Sequence, residues 1–135
     1  MTSEEIVIDG KGAVLGRLAS FAAKQALLGK KVVVVNCNEV VITGRKENVV
    51  ENYRAKRARG GSSLKGPHFP RQPERIVKRT IRGMLPYKQG RGRTAFKSVR
   101  CFDALPAEFA SKEKLSLGKE LKTTSIKLGE LARLI

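Results

Sequence analysis

Tryptophan is absent from this 135-residue chain, and aromatic residues make up only 5% of it. Its core must therefore rest on Val, Ile, Leu and Ala, without the large rings that carry much of the buried area in many domains. Cysteine is scarce too, with only Cys37 and Cys101. They are too few and too far apart for a Cys-x-x-Cys motif, which predicts a reducing compartment and two ordinary small apolar residues. The one histidine, His68, cannot assemble a metal site or a catalytic pair and reads as a hydrogen-bonding loop residue. No stretch approaches the ~18 uninterrupted apolar residues of a membrane span. The acidic start, Met1-Thr-Ser-Glu-Glu5, lacks the layout of a signal peptide. The expectation is a soluble cytoplasmic protein in which residues 1–135 form one domain.

Acids are the most telling shortage. Against 28 Lys and Arg stand 12 Asp and Glu, a net charge of +16. Such an excess opposes folding by self-repulsion, so a polyanion outside the chain has to balance it. Residues 1–44 carry 5 cations and 4 acids, residues 101–135 carry 6 and 5, and residues 45–100 carry 17 and 3. The excess thus lies in one basic region, 45–100, set between two balanced segments. Nucleic acid is the partner this predicts. A membrane surface fits less well, because the basic helix described below has a modest apolar face and no flanking aromatics.

The apolar pattern outlines an α/β scaffold. Ile6-Val-Ile8, followed by Asp9 and glycines, reads as a short strand ending in a turn. From Leu15 to Leu28 only Arg17, Ser20 and Lys24 form a polar stripe, which predicts a largely buried helix closed by Gly29. Val32–Val35 is continuously apolar, as in a parallel strand covered on both sides. Val40-Val-Ile42 suits either another short strand or a turn beneath the sheet. A helix is expected from Thr43–Gly44 to about Arg59, with Val49, Val50 and Tyr53 inward. Another runs from Pro73 to Pro86, with Ile76, Val77, Ile81 and Met84 on its inner side. Ser98–Phe102 reads as a last strand. Over 125–135, Leu128, Leu131, Ala132 and Ile135 share a helical face, so the C-terminal tail, 104–135, is expected to dock. Between the helices, residues 60–73 hold three Gly and three Pro and read as an irregular basic loop insertion.

Three basic clusters carry the predicted interface. Arg75, Lys78, Arg79 and Arg82 follow i, i+3, i+4, i+7 on one helix side, with only Glu74 to offset them. A solvated helix would interleave acids, because like charges at this spacing repel; a phosphate-facing stripe explains the pattern better. Arg54, Lys56, Arg57 and Arg59 form a second cluster at a helix end, where cations also suit the helix dipole. Lys88, Arg91 and Arg93 form a third, with glycines between arginines that let a phosphate chain approach. Arg45, Lys46, Lys65, Arg71 and Lys97 complete the cationic set. Phe69 and Tyr87 lie beside these runs and are either stacking platforms for bases or core residues.

Catalysis finds no support. Gly10, Gly12 and Gly16 follow a strand and precede a helix, but the dinucleotide fingerprint needs glycine where Leu15 stands, and Asn36 replaces the ribose-binding acid. No phosphate-loop motif, Ser/His/Asp set or carboxylate pair is present. No cofactor, metal or small-molecule substrate is expected.

Three stretches carry a family resemblance: Leu15-Gly-Arg-Leu-Ala-Ser20, Asn36-Cys-Asn-Glu-Val-Val-Ile-Thr-Gly44 and Arg82-Gly-Met-Leu-Pro-Tyr-Lys-Gln-Gly-Arg-Gly92. Together with Leu128-Gly-Glu-Leu-Ala132 they resemble the large-subunit ribosomal protein L-thirteen family, most of all its archaeal branch, which is similar to the eukaryotic form L-thirteen-a. The likeness covers nearly the whole chain. It implies a three-layer α/β/α domain around a mainly parallel four-stranded sheet. It also implies a non-catalytic monomer that binds large-subunit ribosomal RNA early in assembly, among neighbouring ribosomal proteins. Arg82, Lys88 and Arg91, in the matching motif, are the RNA contacts it implies.

Overall fold

The computed structural model describes residues 5–58, 72–86, 88–118 and 124–135. Strand β1 (Glu5–Asp9), helix α1 (Leu15–Leu27) and strand β2 (Lys31–Val35) form the expected strand–helix–strand unit. β1 and β2 pair in parallel from Glu5 opposite Lys31 to Asp9 opposite Val35. α1 buries Leu15, Leu18, Ala19, Ala22, Ala23 and Ala26 and leaves Arg17, Ser20 and Lys24 exposed. It ends at Gly29, whose φ of +90° suits glycine and whose N–H donates to the Ala26 carbonyl.

Two further parallel strands flank this pair. β4 (Val99–Cys101) joins β2, and β5 (Leu115–Ser116) joins β1, giving the order β4-β2-β1-β5. Valines 32 to 35 are all buried. Val32 and Val34 face a core shared with Ile8 and Val99; Val33 and Val35 face Val7 and Phe109 on the other side. The first side is covered by α1, α3 (Pro73–Gly83) and α4 (Gly90–Lys97). The second is covered by Phe102 and by Phe109, which comes from the single-turn 3-10 helix Ala107–Phe109; their ring centroids lie 5.6 Å apart. The fold is therefore three-layered, with the second helical layer reduced, among the described residues, to one turn.

The segment read as either strand or turn is β3 (Val41–Thr43), and its partner comes from the tail. It pairs antiparallel with β6 (Ser125–Lys127), Ile42 opposite Ile126. The segment 125–135, read as one helical face, is thus not helical throughout. Its first three residues alternate exposed, buried, exposed, and pair with β3. Helix α5 follows (Leu128–Leu134), with Leu128 and Leu131 fully buried against the same core as α1 and α3.

Three details depart from the sequence reading. Met84 is 43% exposed, because α3 ends at Gly83 and Leu85 takes the inward place. Strand β4 is not the last, since β5 and β6 follow it. Residues 90–97 are helical, although two glycines and three cations give that stretch weak helix propensity. Helix α2 (Lys46–Ala58) buries Val49, Val50 and Tyr53 as expected.

Within α4, Gly92 is pressed against the Pro86 carbonyl, onto which any side chain would be built. Gly92→Ala is expected to destabilise the protein by about 1–3 kcal/mol through overpacking, although alanine is the better helix former. The shift of the urea denaturation midpoint measures this, and unchanged stability would show that the Pro86 turn yields freely.

Candidate nucleic-acid interface

In open α/β sheets, ligands bind beyond the carboxyl ends of the strands. Here that crevice is filled by the chain itself. Gly10 donates its N–H to the Val35 carbonyl, and a Cβ on it would meet Val40 Cγ2 at 2.7 Å. Asn36, in the left-handed conformation at φ 57°, donates from Nδ2 to Asp9 Oδ1 at 3.1 Å. The single-turn helix Cys37–Glu39 sits across the strand ends, where the Cys37 and Asn38 N–H groups donate to the carbonyls of Phe102 and Asp103. The glycines after β1 therefore serve a tight turn and close packing. Cys37 and Cys101 meet here, and their mutual hydrogen bond, with burial, pushes the Cys37 thiol far above its ordinary pKa. Among the described residues no group of three or more His, Cys, Asp or Glu is arranged to hold a metal.

The cations lie on the helices instead. On α3, Arg75 is exposed, while Lys78, Arg79 and Arg82 are half-buried along their stems. The Lys78 ammonium sits 5.2 Å from the centroid of the Phe96 ring, which links the α3 stripe to α4. Lys88 is exposed just before α4, and Arg91, Arg93 and Lys97 are exposed along it. The first turn of α4 has no acid and no side-chain cap, so its leading N–H groups reinforce the positive field of those residues. The two glycines among these cations differ in purpose. Gly92 is needed by Pro86, whereas a Cβ on Gly90 would meet nothing within 4 Å among the described residues outside its own helix's backbone and its chain neighbours.

The α2 cluster is tied to the C-terminus. Lys46 pairs with Glu130 of α5 at 2.7 Å, and Arg54 Nε donates to the Leu134 carbonyl at 2.9 Å. Lys56 lies 4.9 Å from the centroid of the buried Tyr53 ring, and burial raises the Tyr53 pKa. Arg45 is exposed immediately before α2. Arg57 belongs to α2, but its side chain, like Arg59, Lys65, Phe69, Arg71 and Tyr87 altogether, lies outside the described residues.

Arg17 and Lys24 escaped the charge-density reading because their segment is balanced overall. They form the exposed stripe of α1, which packs against both α3 and α4. The polar periodicity of α1 was the available signal. Arg100, by contrast, faces away from the helical layer, 5.1 Å from the centroid of the Phe102 ring. With 12 acids for 28 cations, no internal pairing can neutralise this surface. Multiple exposed guanidinium and ammonium groups on adjoining helices can bind the phosphates of a polynucleotide.

The family model for "Ribosomal protein L13" matches residues 3–108. The chain is 53% identical over 107 residues to the large ribosomal subunit protein uL13 of Archaeoglobus fulgidus, covering 79% of this chain and 68% of that one. It is 45% identical over 131 residues to the uL13 of Methanocaldococcus jannaschii, covering 94% of each. The uL13 of Natronomonas pharaonis is 44% identical over 129 residues, covering 95% of this chain and 88% of its own.

The pair between α2 and α5 has a pH signature. The Lys46 ammonium holds the Glu130 carboxyl below its ordinary pKa of 4.5. A depressed carboxylate stabilises the fold above its unfolded pKa, and that contribution is lost as pH falls through the folded value. In Lys46→Ala the Glu130 midpoint, followed by NMR titration, is expected to rise towards the ordinary value. An unmoved midpoint would show that the ammonium is not its cause.

Proposed function

The chain belongs to the ribosomal protein L13 family, and from that premise we propose that it is a structural constituent of the large ribosomal subunit, holding folded large-subunit ribosomal RNA from early in assembly. One observation carries this reading: 17 cations and 3 acids are concentrated in residues 45–100, on a scaffold that is otherwise balanced. Arg82, Lys88 and Arg91 in the central motif contact phosphates, and the cations of α2, α3 and α4 neutralise several strands at once. Recognition is mainly of RNA shape, with bases read where they are unpaired. Neighbouring ribosomal proteins are its protein partners, and it acts as a monomer in the cytoplasmic ribosome. The protein glues and does not catalyse; the crevice that would house a nucleotide is occupied by its own turns.

Sedimentation separates this reading from a free-standing binding module. The native protein is expected in the large-subunit fraction, and its persistence in the soluble fraction would reverse the conclusion. If about six phosphates are neutralised, affinity for large-subunit RNA falls with salt at a log–log slope near −4 to −5. The paired substitution Arg79→Glu, Arg82→Glu is expected to leave the circular dichroism spectrum nearly unchanged and to abolish incorporation into subunits. Loss of folding in that variant, or a slope near zero in the wild type, would count against it.

A further inference from the structure

We propose that the cleft between the last turn of α1 and the first turns of α4 takes one unpaired nucleotide of the bound RNA. Its base lies against an apolar wall, and its phosphate meets Arg91 and Lys31. The proposal rests on the RNA-binding reading above and names the RNA element that this part of the surface receives.

The cleft encloses about 530 Å³, within the ~300–1,000 Å³ span of sites that hold small ligands. Ala26, Leu27 and Ala95 are among its lining residues, together with Lys31 and Arg91. No carboxylate is among its described lining residues. Leu27 is 38% exposed, so a large apolar side chain is left partly wet in a cationic cleft.

Gly90, also in the lining, adds a second observation. Its φ is not positive, and among the described residues nothing beyond its chain neighbours and the backbone of its own helix lies within 4 Å of where its Cβ would stand. Neither strain nor internal packing requires glycine there, and in a helix glycine costs ~1 kcal/mol relative to alanine. What its bare backbone provides is close approach from outside.

The cleft's hydroxyls are already committed. Thr94 Oγ1 donates to the Gly90 carbonyl at 2.9 Å, and Ser98 Oγ bonds to the Ala95 carbonyl at 2.7 Å. Arg91 and Lys31 supply the cleft's positive charge, Lys31 being shared with Glu5 opposite it on β1, and the apolar wall can take a base face without reading its edges. This arrangement suits a nucleotide of any base. A paired helix keeps its base faces stacked inside and offers phosphate, ribose and base edges, so it leaves the apolar wall wet. A neighbouring protein's apolar side chain would fill the wall but bring no anion to Arg91.

Two experiments test this. A photocrosslinking phenylalanine analogue at exposed Thr94, incorporated in cells and irradiated in assembled large subunits, is expected to attach to RNA at an unpaired nucleotide. Attachment to a protein, attachment within a duplex, or no attachment overturns the proposal. In the second, the intact protein carrying Leu27→Asp is titrated with hexauridylate and with a fully paired fragment of large-subunit RNA. The added carboxylate is expected to weaken hexauridylate binding about tenfold and duplex binding less than twofold. Equal losses on both probes, or none on hexauridylate, overturn the cleft assignment while leaving the RNA-binding reading intact. Failure of the wild type to bind either RNA, or to sediment with subunits, is instead the failure of that reading.

Discussion

Four consecutive valines in β2 cannot be left wet on either face, and the arrangement of the other elements answers that demand. Burying a valine side chain is worth roughly 1.5 kcal/mol or more relative to leaving it in water, and all four are buried. Covering Val32 and Val34 requires the helical layer of α1, α3 and α4, which also seals Ile8 and Val99. Covering Val33 and Val35 requires Phe109 and Phe102, delivered by the connection after β4. Parallel pairing with β1 on one side and β4 on the other follows, because each crossover helix must return over the same face.

This construction keeps the core and the charge apart. The apolar sides of α3 and α4 are consumed by the sheet, and their other sides are left to arginine and lysine. A helix whose cations repel one another is weak alone, but Ile76, Val77 and Ile81 anchor α3 with complete burial. Core packing thus supplies the stability that lets a repulsive surface be held at fixed spacing. The C-terminal elements do the same for α2, where Lys46, Arg54 and the buried Val49 and Val50 tie it to α5 and the core.

The crevice past the strand ends, the usual ligand position in such sheets, is closed by Gly10, Asn36 and the Cys37–Glu39 turn. The tight glycine turn after β1 looks from its spacing like a fragment of a dinucleotide site, yet Val40 stands where a Cβ on Gly10 would project. The exposed cations lie instead on the outer surface of the helices, where the proposed RNA partner, too large for any crevice, would meet them.

Much of this was legible in the linear chain. Period and burial agreed over the main apolar runs: α1, β2, α3 as far as Ile81 and the inward side of α2 follow directly from their residues. So did the concentration of charge in residues 45–100, since composition needs no coordinates. The elements that escaped were short or polar. α4 holds glycines and cations of weak helix propensity, and its helical form depends on Gly92 lying against Pro86. β5 and β6 have two and three residues, too few for a period to register, and exist because β1 and β3 offer unpaired edges. Which cations adjoin one another was decided by the fold alone. Arg17 and Lys24 come beside the basic helices through the packing of α1, and Arg100 is turned to the opposite face by the strand's alternation. Local pattern specifies which side of an element is apolar; only the closing of the core specifies which polar sides become neighbours.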